Sequence, residues 1–185
     1  MMKVFENKKD LNITATAATV GFFDGVHCGH RFLFGELQTF ARSLGLPSAV
    51  VTFTTHPRIV LHSDYQPLLL NTFEEKIDLL SDTGIDYAFV LDFTPELAQF
   101  SAEQFIKEIL YNQLNIRALL IGHDHRFGHQ RREGFDEYVR YGSESGMVIK
   151  KATPYSDGEQ VVSSSVIRRE LEAGNVATAA RMLGY

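Results

Sequence analysis

The chain has a single cysteine, Cys28, and no tryptophan among its 185 residues. One thiol excludes an internal disulfide, and with it the small disulfide-stapled scaffolds, and such cysteine usage fits a reducing compartment. No apolar stretch approaches the roughly 18 residues that cross a bilayer, and the opening MMKVFENKKD lacks the apolar core of a secretory signal. The expected location is the cytoplasm, with no membrane partner. A surplus of positive charge is also missing. The net charge is −5, which argues against general binding to nucleic acid. Neither a Walker A pattern nor G-x-G-x-x-G occurs, so a P-loop nucleotidase and a dinucleotide dehydrogenase have no support. Repeats, low-complexity tracts and linkers are absent as well, so one domain over residues 1–185 is expected. That length suffices to bury roughly 70% of the surface the unfolded chain exposes. The partners this leaves are small molecules.

What is present is an alternation of strand and helix signals. Residues 15–23 are small and β-branched without polar alternation, as a strand buried on both faces requires. After a glycine-containing loop, Leu33, Leu37, Phe40, Ala41 and Leu44 recur at helical spacing until Gly45 and Pro47 stop them. Residues 48–53 form a second buried strand that runs into TTHPR, where Pro57 fixes the loop. Thr72 and Glu75 make a capping box for a helix that Gly84 ends. Residues 87–93 are a third strand, and Ser101 with Gln104 caps a helix carrying Phe105, Ile106, Ile109, Leu110 and Leu114. Residues 118–121 give a fourth strand, 134–146 a helix, 147–152 a fifth strand and 160–162 a short extended piece, before two closing helices. Residues before about 12 carry no periodic signal and read as an irregular or edge segment. The alternation predicts an α/β fold: a Rossmann-like, doubly wound parallel sheet with helices on both faces and right-handed crossovers.

Such sheets bind ligands beyond the carboxyl ends of their strands. Four loops are therefore expected to converge there, and all seven histidines lie in or just after them. In TVGFFDGVHCGHR (residues 19–31), His27 and His30 bracket the point where loop becomes helix, and free N–H groups at a helix start favour an anion. Gly25 and Gly29 let the backbone bend and let a phosphate chain come close. Zinc is the competing reading for two histidines three apart, but the only cysteine lies between them and no metal ligand set is expected. A loop with merely solvated histidines is the other. HDHRFGHQRR (residues 123–132) is a positive island on an acidic chain, either a solvated face or a ligand loop following a strand. Ser163, Ser164 and Ser165 stand where a helix begins, with Arg168 one turn on. Serines cap helices, but here they also build a socket for phosphate. A polyphosphate held between two helix starts accounts for both ends of the chain.

These motifs resemble a known family in order along nearly the whole sequence. Residues 21–30 resemble the G-x-F-D-G-x-H-x-G-H stretch of the FAD synthetase (FMN adenylyltransferase) module of bacterial bifunctional riboflavin kinase/FAD synthetases. TFTTHPR is similar to that family's T-F-x-P-H-P-R, GHDHRFG to its G-x-D-F-R-F-G, and SSSVIRRELEAG to its S-S-T-x-I-R-x-x-L-x-x-G. H-x-G-H alone is shared by many nucleotidyltransferases, whereas the set of four is far more specific. Phe22 stands where the family often has asparagine, Thr55 where it has proline, His125 where it has phenylalanine and Ser165 where it has threonine. The family continues past LGY into a riboflavin kinase domain. The expectation here is one FMN adenylyltransferase domain without that partner domain, either an isolated module or one whose kinase half was removed.

The resemblance implies a sheet of the nucleotidyltransferase type and transfer of AMP from ATP to FMN by in-line displacement, giving FAD and pyrophosphate, with Mg²⁺ accompanying ATP. It implies catalytic roles for His27, His30 and Arg168. Gly21, Phe22, Phe23, Gly25, Gly29, Asp124, Ser164 and Ser165 fall on the ATP side, Asp124 at the ribose. His56, Pro57, Arg58 and Phe127 fall on the flavin side. Other readings are an adenylyltransferase for phosphopantetheine or nicotinamide mononucleotide, a metal-dependent hydrolase, and a flavin-binding module without turnover.

Overall fold

The computed structural model describes residues 1–6, 13–61, 68–123, 125–129, 133–155 and 162–185. Six strands form one all-parallel sheet: β1 (Lys3–Glu6), β2 (Thr16–Val20), β3 (Ser48–Phe53), β4 (Tyr87–Leu91), β5 (Ile116–Ile121) and β6 (Val148–Lys151), in the spatial order β1-β4-β3-β2-β5-β6. The helices are α1 (Cys28–Ser43), α2 (Pro57–Val60), α3 (Phe73–Ser81), α4 (Pro95–Ala98), α5 (Ala102–Gln104), α6 (Phe135–Ser145), α7 (Ser164–Glu172) and α8 (Val176–Leu183). A single 3-10 turn, Asp24–Val26, precedes α1.

Because β2, β3 and β5 are buried along their length, alternate side chains feed two separate cores. Ala18, Val20, Val51, Leu119 and Ile121 face the layer containing Ile106, Leu110, Tyr138 and Tyr141. Ala17, Val50, Ala118 and Leu120 face Phe34, Leu37 and Ala41 of α1 and Leu80 of α3. This is the doubly wound α/β arrangement that strand and helix signals predict. The chain winds outward from β2 to β3 and β4, then crosses to β5 and β6. The order therefore reverses between β2 and β5, and the crevice beyond their carboxyl ends is the ligand position of the fold.

Several boundaries differ from the sequence reading for visible reasons. β2 ends at Val20, not residue 23, because Phe23 turns to φ 57° and starts the 3-10 turn. β4 stops at Leu91, two residues short of Phe93. The N-terminal stretch is a true edge strand, β1, pairing with β4. Both capping boxes are formed: Thr72 with Glu75, and Ser101 with Gln104. The helix begun at Ser101 continues over Phe105–Gln113 with π spacing, which apolar periodicity alone does not distinguish from α. The expected extended piece at 160–162 lies almost wholly outside the described residues.

Candidate active site

The loop between β2 and α1 holds an unusual backbone. Phe23 (φ 57°), Gly25 (φ 79°) and Val26 (φ 36°) all have positive φ, and for a β-branched residue this is a costly conformation. It persists because the surroundings dictate it. The Phe23 ring packs edge-on against Phe34 at 5.0 Å and His30 at 5.3 Å. The Asp24 carboxylate, 5% exposed, accepts the Leu70 N–H at 2.9 Å and pairs with the Arg168 guanidinium at 2.6 Å. Ser164 donates its hydroxyl to the Asp24 carbonyl at 2.9 Å, and Tyr185 donates to the Gly25 carbonyl at 3.0 Å. Burial raises the Asp24 carboxyl above the usual range, and the Leu70 N–H and the Arg168 charge pull against it.

Gly25 is required twice over. Its φ suits glycine, and a Cβ there would lie 2.7 Å from Leu70 Cδ1 and 3.2 Å from Leu183 Cδ2. Gly25→Ala is expected to cost about 2–4 kcal/mol from strain and overpacking together. Gly45→Ala, also at positive φ (65°) but with nothing within 4 Å, should cost only about 1–2 kcal/mol. Urea denaturation of the two variants side by side checks this.

His27 is the N-cap of α1, where its Nδ1 accepts the backbone N–H of His30 at 3.3 Å. Its ring stacks on that of His30, with centroids 3.6 Å apart. Burial pushes His27 down to about 4. Burial pushes His30 well below the ordinary histidine value, with the neighbouring His27 and His125 adding to the effect. Both rings are neutral at pH 7. Since Nδ1 of His27 is an acceptor, its proton sits on Nε2. His30 Nδ1 is buried and has no hydrogen-bond partner among the described residues.

The sign of the pH dependence follows. The unfolded chain, with His27 near 6.5, binds a proton that the folded state refuses until about 4. Stability is complete above pH 6.5 and falls through the window from 6.5 to 4, by up to about 3 kcal/mol for this one group. His27→Asn keeps a capping side chain and should flatten the urea midpoint across that window relative to wild type.

Ser163 caps α7, accepting the Val166 N–H; Ser164 and exposed Ser165 form its first turn. Gly21 precedes Phe22, and a Cβ on Gly21 would meet the Phe23 ring at 2.6 Å, so the glycine makes room for that ring. Gly29 lies in the first turn of α1. His56 caps α2, accepting the Arg58 N–H at 3.1 Å, and Pro57 opens that helix. The His56 ring meets Phe22 edge-on at 4.6 Å. Phe127 stacks on Tyr138 at 4.3 Å, which makes it part of the packed wall under α6. Asp124, and Gln130, Arg131 and Arg132 of the positive island, lie outside the described residues. A cavity of about 270 Å³ opens at the ends of β5 and β6, lined by Gly122, His123, His125, Arg126, Phe135 and Lys151.

Three participants escaped the sequence reading. Asp24 joins the two helix starts. Lys76 of α3 is buried, and Tyr185 reaches back to the glycine loop. Lys76 carried a signal, a cation on the apolar stripe formed with Phe73, Ile77 and Leu80. Among the described residues no three His, Cys, Asp or Glu side chains are grouped to hold a metal ion, and no helix is long and apolar enough to cross a membrane.

The family model described as FAD synthetase matches residues 9–166. The chain belongs to the FAD synthetase family. Curated relatives include the bifunctional riboflavin kinase/FMN adenylyltransferase of Escherichia coli K12, 34% identical over 167 residues, which cover 90% of this chain and 53% of the relative. The namesake from Buchnera aphidicola subsp. Acyrthosiphon pisum is 30% identical over 184 residues, 100% of this chain and 58% of the relative. That of Haemophilus influenzae is 32% identical over 168 residues, 91% and 54% respectively. This FAD synthetase-family chain thus spans about half the length of the curated relatives it matches. A crystal structure described as a macrolide-efflux protein from Streptococcus pneumoniae superimposes with a TM-score of 0.82 at 27% identity, covering 100% of this chain and 71% of that one.

Proposed function

We propose that the chain is an FMN adenylyltransferase. A phosphate oxygen of FMN attacks the α-phosphorus of ATP in line, the bond to the β-phosphate breaks, and FAD and pyrophosphate leave without a covalent enzyme intermediate. Family membership supports this chemistry. The observation that carries it is that Asp24, in the loop leading into α1, is bound by Ser164 and Arg168 of α7, which ties the loop before one helix start to another helix start.

Each group has a defined contribution on this reading. His27, neutral, offers Nε2–H to phosphate oxygens, and His30 lies beside it where charge develops on the α-phosphorus. The Ser164 hydroxyl proton is committed to Asp24, so Ser164 serves the β and γ phosphates through its backbone N–H, beside Ser165. Arg168 gives one guanidinium nitrogen to Asp24 and retains Nε, buried and without an acceptor among the described residues. Mg²⁺ would enter with ATP as part of the substrate and would supply charge neutralisation at its phosphates. His56, Pro57 and Arg58 form the flavin side, with Phe127 in the wall behind, and Asp124 answers the ribose. Catalysis is positioning and charge stabilisation, the requirement of a reaction that needs no protein nucleophile.

The test is to incubate the chain with ATP, Mg²⁺ and FMN, phosphopantetheine or nicotinamide mononucleotide in turn. FAD and pyrophosphate in equal amounts, with FMN the only productive acceptor, is the expected result. Flavin binding without pyrophosphate release, or preference for another acceptor, contradicts it. On the same reading Cys28→Ser leaves turnover intact, because the thiol only donates to the Arg181 carbonyl at 3.6 Å.

A further inference from the structure

Lys76 is 3% exposed, and among the described residues the Asp24 carboxylate is the only other titratable side chain lining the small cavity it borders. Its Nζ donates to the Phe53 carbonyl, the last residue of β3, at 2.8 Å. The same ammonium stands 3.9 Å from the centroid of the Phe22 ring, just past the end of β2. Phe22 in turn contacts His56 and accepts the Thr52 hydroxyl at its carbonyl, 3.1 Å away. One cation on α3 therefore grips the two strand ends that carry the phosphate loop and the flavin loop. Burying an ammonium is costly, and methionine would fill the same volume without that cost. The charge thus serves something other than packing.

We propose that Lys76 is a positioning residue for adenylyl transfer: it ties the loop after β2 to the loop after β3 and so sets the distance between the phosphate side and the flavin side. This rests on the function proposed above. Geometry alone links the two loops, and the electrostatics add a second handle. Burial lowers Lys76 to about 8 against the pull of Asp24. Among the described residues, the charged groups facing it are Asp24 across the cavity and Arg168 behind Asp24. His56 lies beyond the Phe22 ring, and Glu75 on α3 itself is engaged in the capping box.

The experiment compares wild type, Lys76→Met and Lys76→Arg by hydrogen exchange, steady-state FAD formation and urea denaturation. Lys76→Met should keep its unfolding midpoint while residues 21–26 and 54–58 exchange faster. Its kcat should fall about tenfold to a hundredfold, with KM for ATP and FMN changed far less, since small misplacements act on the reacting geometry. Lys76→Arg should recover part of the loss. Wild-type kcat should decline between pH 7.5 and 9, and the low residual kcat of Lys76→Met should be flat there. Unchanged exchange in both segments together with wild-type kcat overturns the proposal. If Lys76→Met does not fold, the pH profile and Lys76→Arg decide: a wild-type kcat flat from pH 7.5 to 9 overturns it. If wild type makes no FAD, the functional reading falls and hydrogen exchange alone judges the tie.

Discussion

Arg168→Ala is expected to lower the free energy of unfolding by about 3–5 kcal/mol, because it leaves the Asp24 carboxylate buried without its cation. Arg168 is 8% exposed and Asp24 5%, so solvent screens the pair little. Against a total stability of roughly 5–15 kcal/mol for a domain, this is a large fraction. The loss also reaches the chemistry, since the ion pair, together with the Ser164 hydroxyl, ties α7 to the phosphate loop. Asp24→Asn should be destabilising as well, and the double variant Asp24→Asn/Arg168→Ala should lose less than the two single losses added together. Urea denaturation of the four proteins measures this, and strict additivity would contradict the coupling.

His30→Ala has the largest expected effect on turnover. A donor that acts mainly on charge developing in the transition state contributes on the order of 3 kcal/mol, or about a hundredfold in rate. The variant should therefore lose kcat about a hundredfold while its affinity for ATP changes little. An equal loss in both would mean that His30 binds substrate and transition state alike. The His30 ring also fills space between Phe23 and His27, so the unfolding midpoint must be measured beside the kinetics.

The alternation of buried strands and capped helices made the sheet and the helix layers legible from sequence. The sequence also put His27 where loop becomes helix, but its role as the cap of α1 is seen only in the structure. The convergence of the glycine–histidine loop with the serine-led helix could be argued because a parallel sheet delivers its loops to one edge. What joins them could not. Asp24 is a short acid in a loop, and nothing local says that it will be buried against residues 46 to 144 positions away. The left-handed turns at Phe23 and Val26 oppose local preference and exist only because Phe34, Leu70, Ser164 and Tyr185 hold them. The π spacing of Phe105–Gln113 is set by packing and leaves no mark on apolar periodicity. Lys76 could have been found, since a lone cation on an apolar helical stripe asks for a buried partner.

On the proposed function, one triphosphate is gripped from both sides, by the start of α1 and the start of α7. Hydrogen exchange on the wild-type chain, with and without Mg²⁺ and a non-hydrolysable ATP analogue, tests this most directly. The backbone amides of residues 28–29 and of residues 164–165 should gain protection together and at the same ligand concentration. Protection of only one of the two segments, or of neither at saturating ligand, would contradict it.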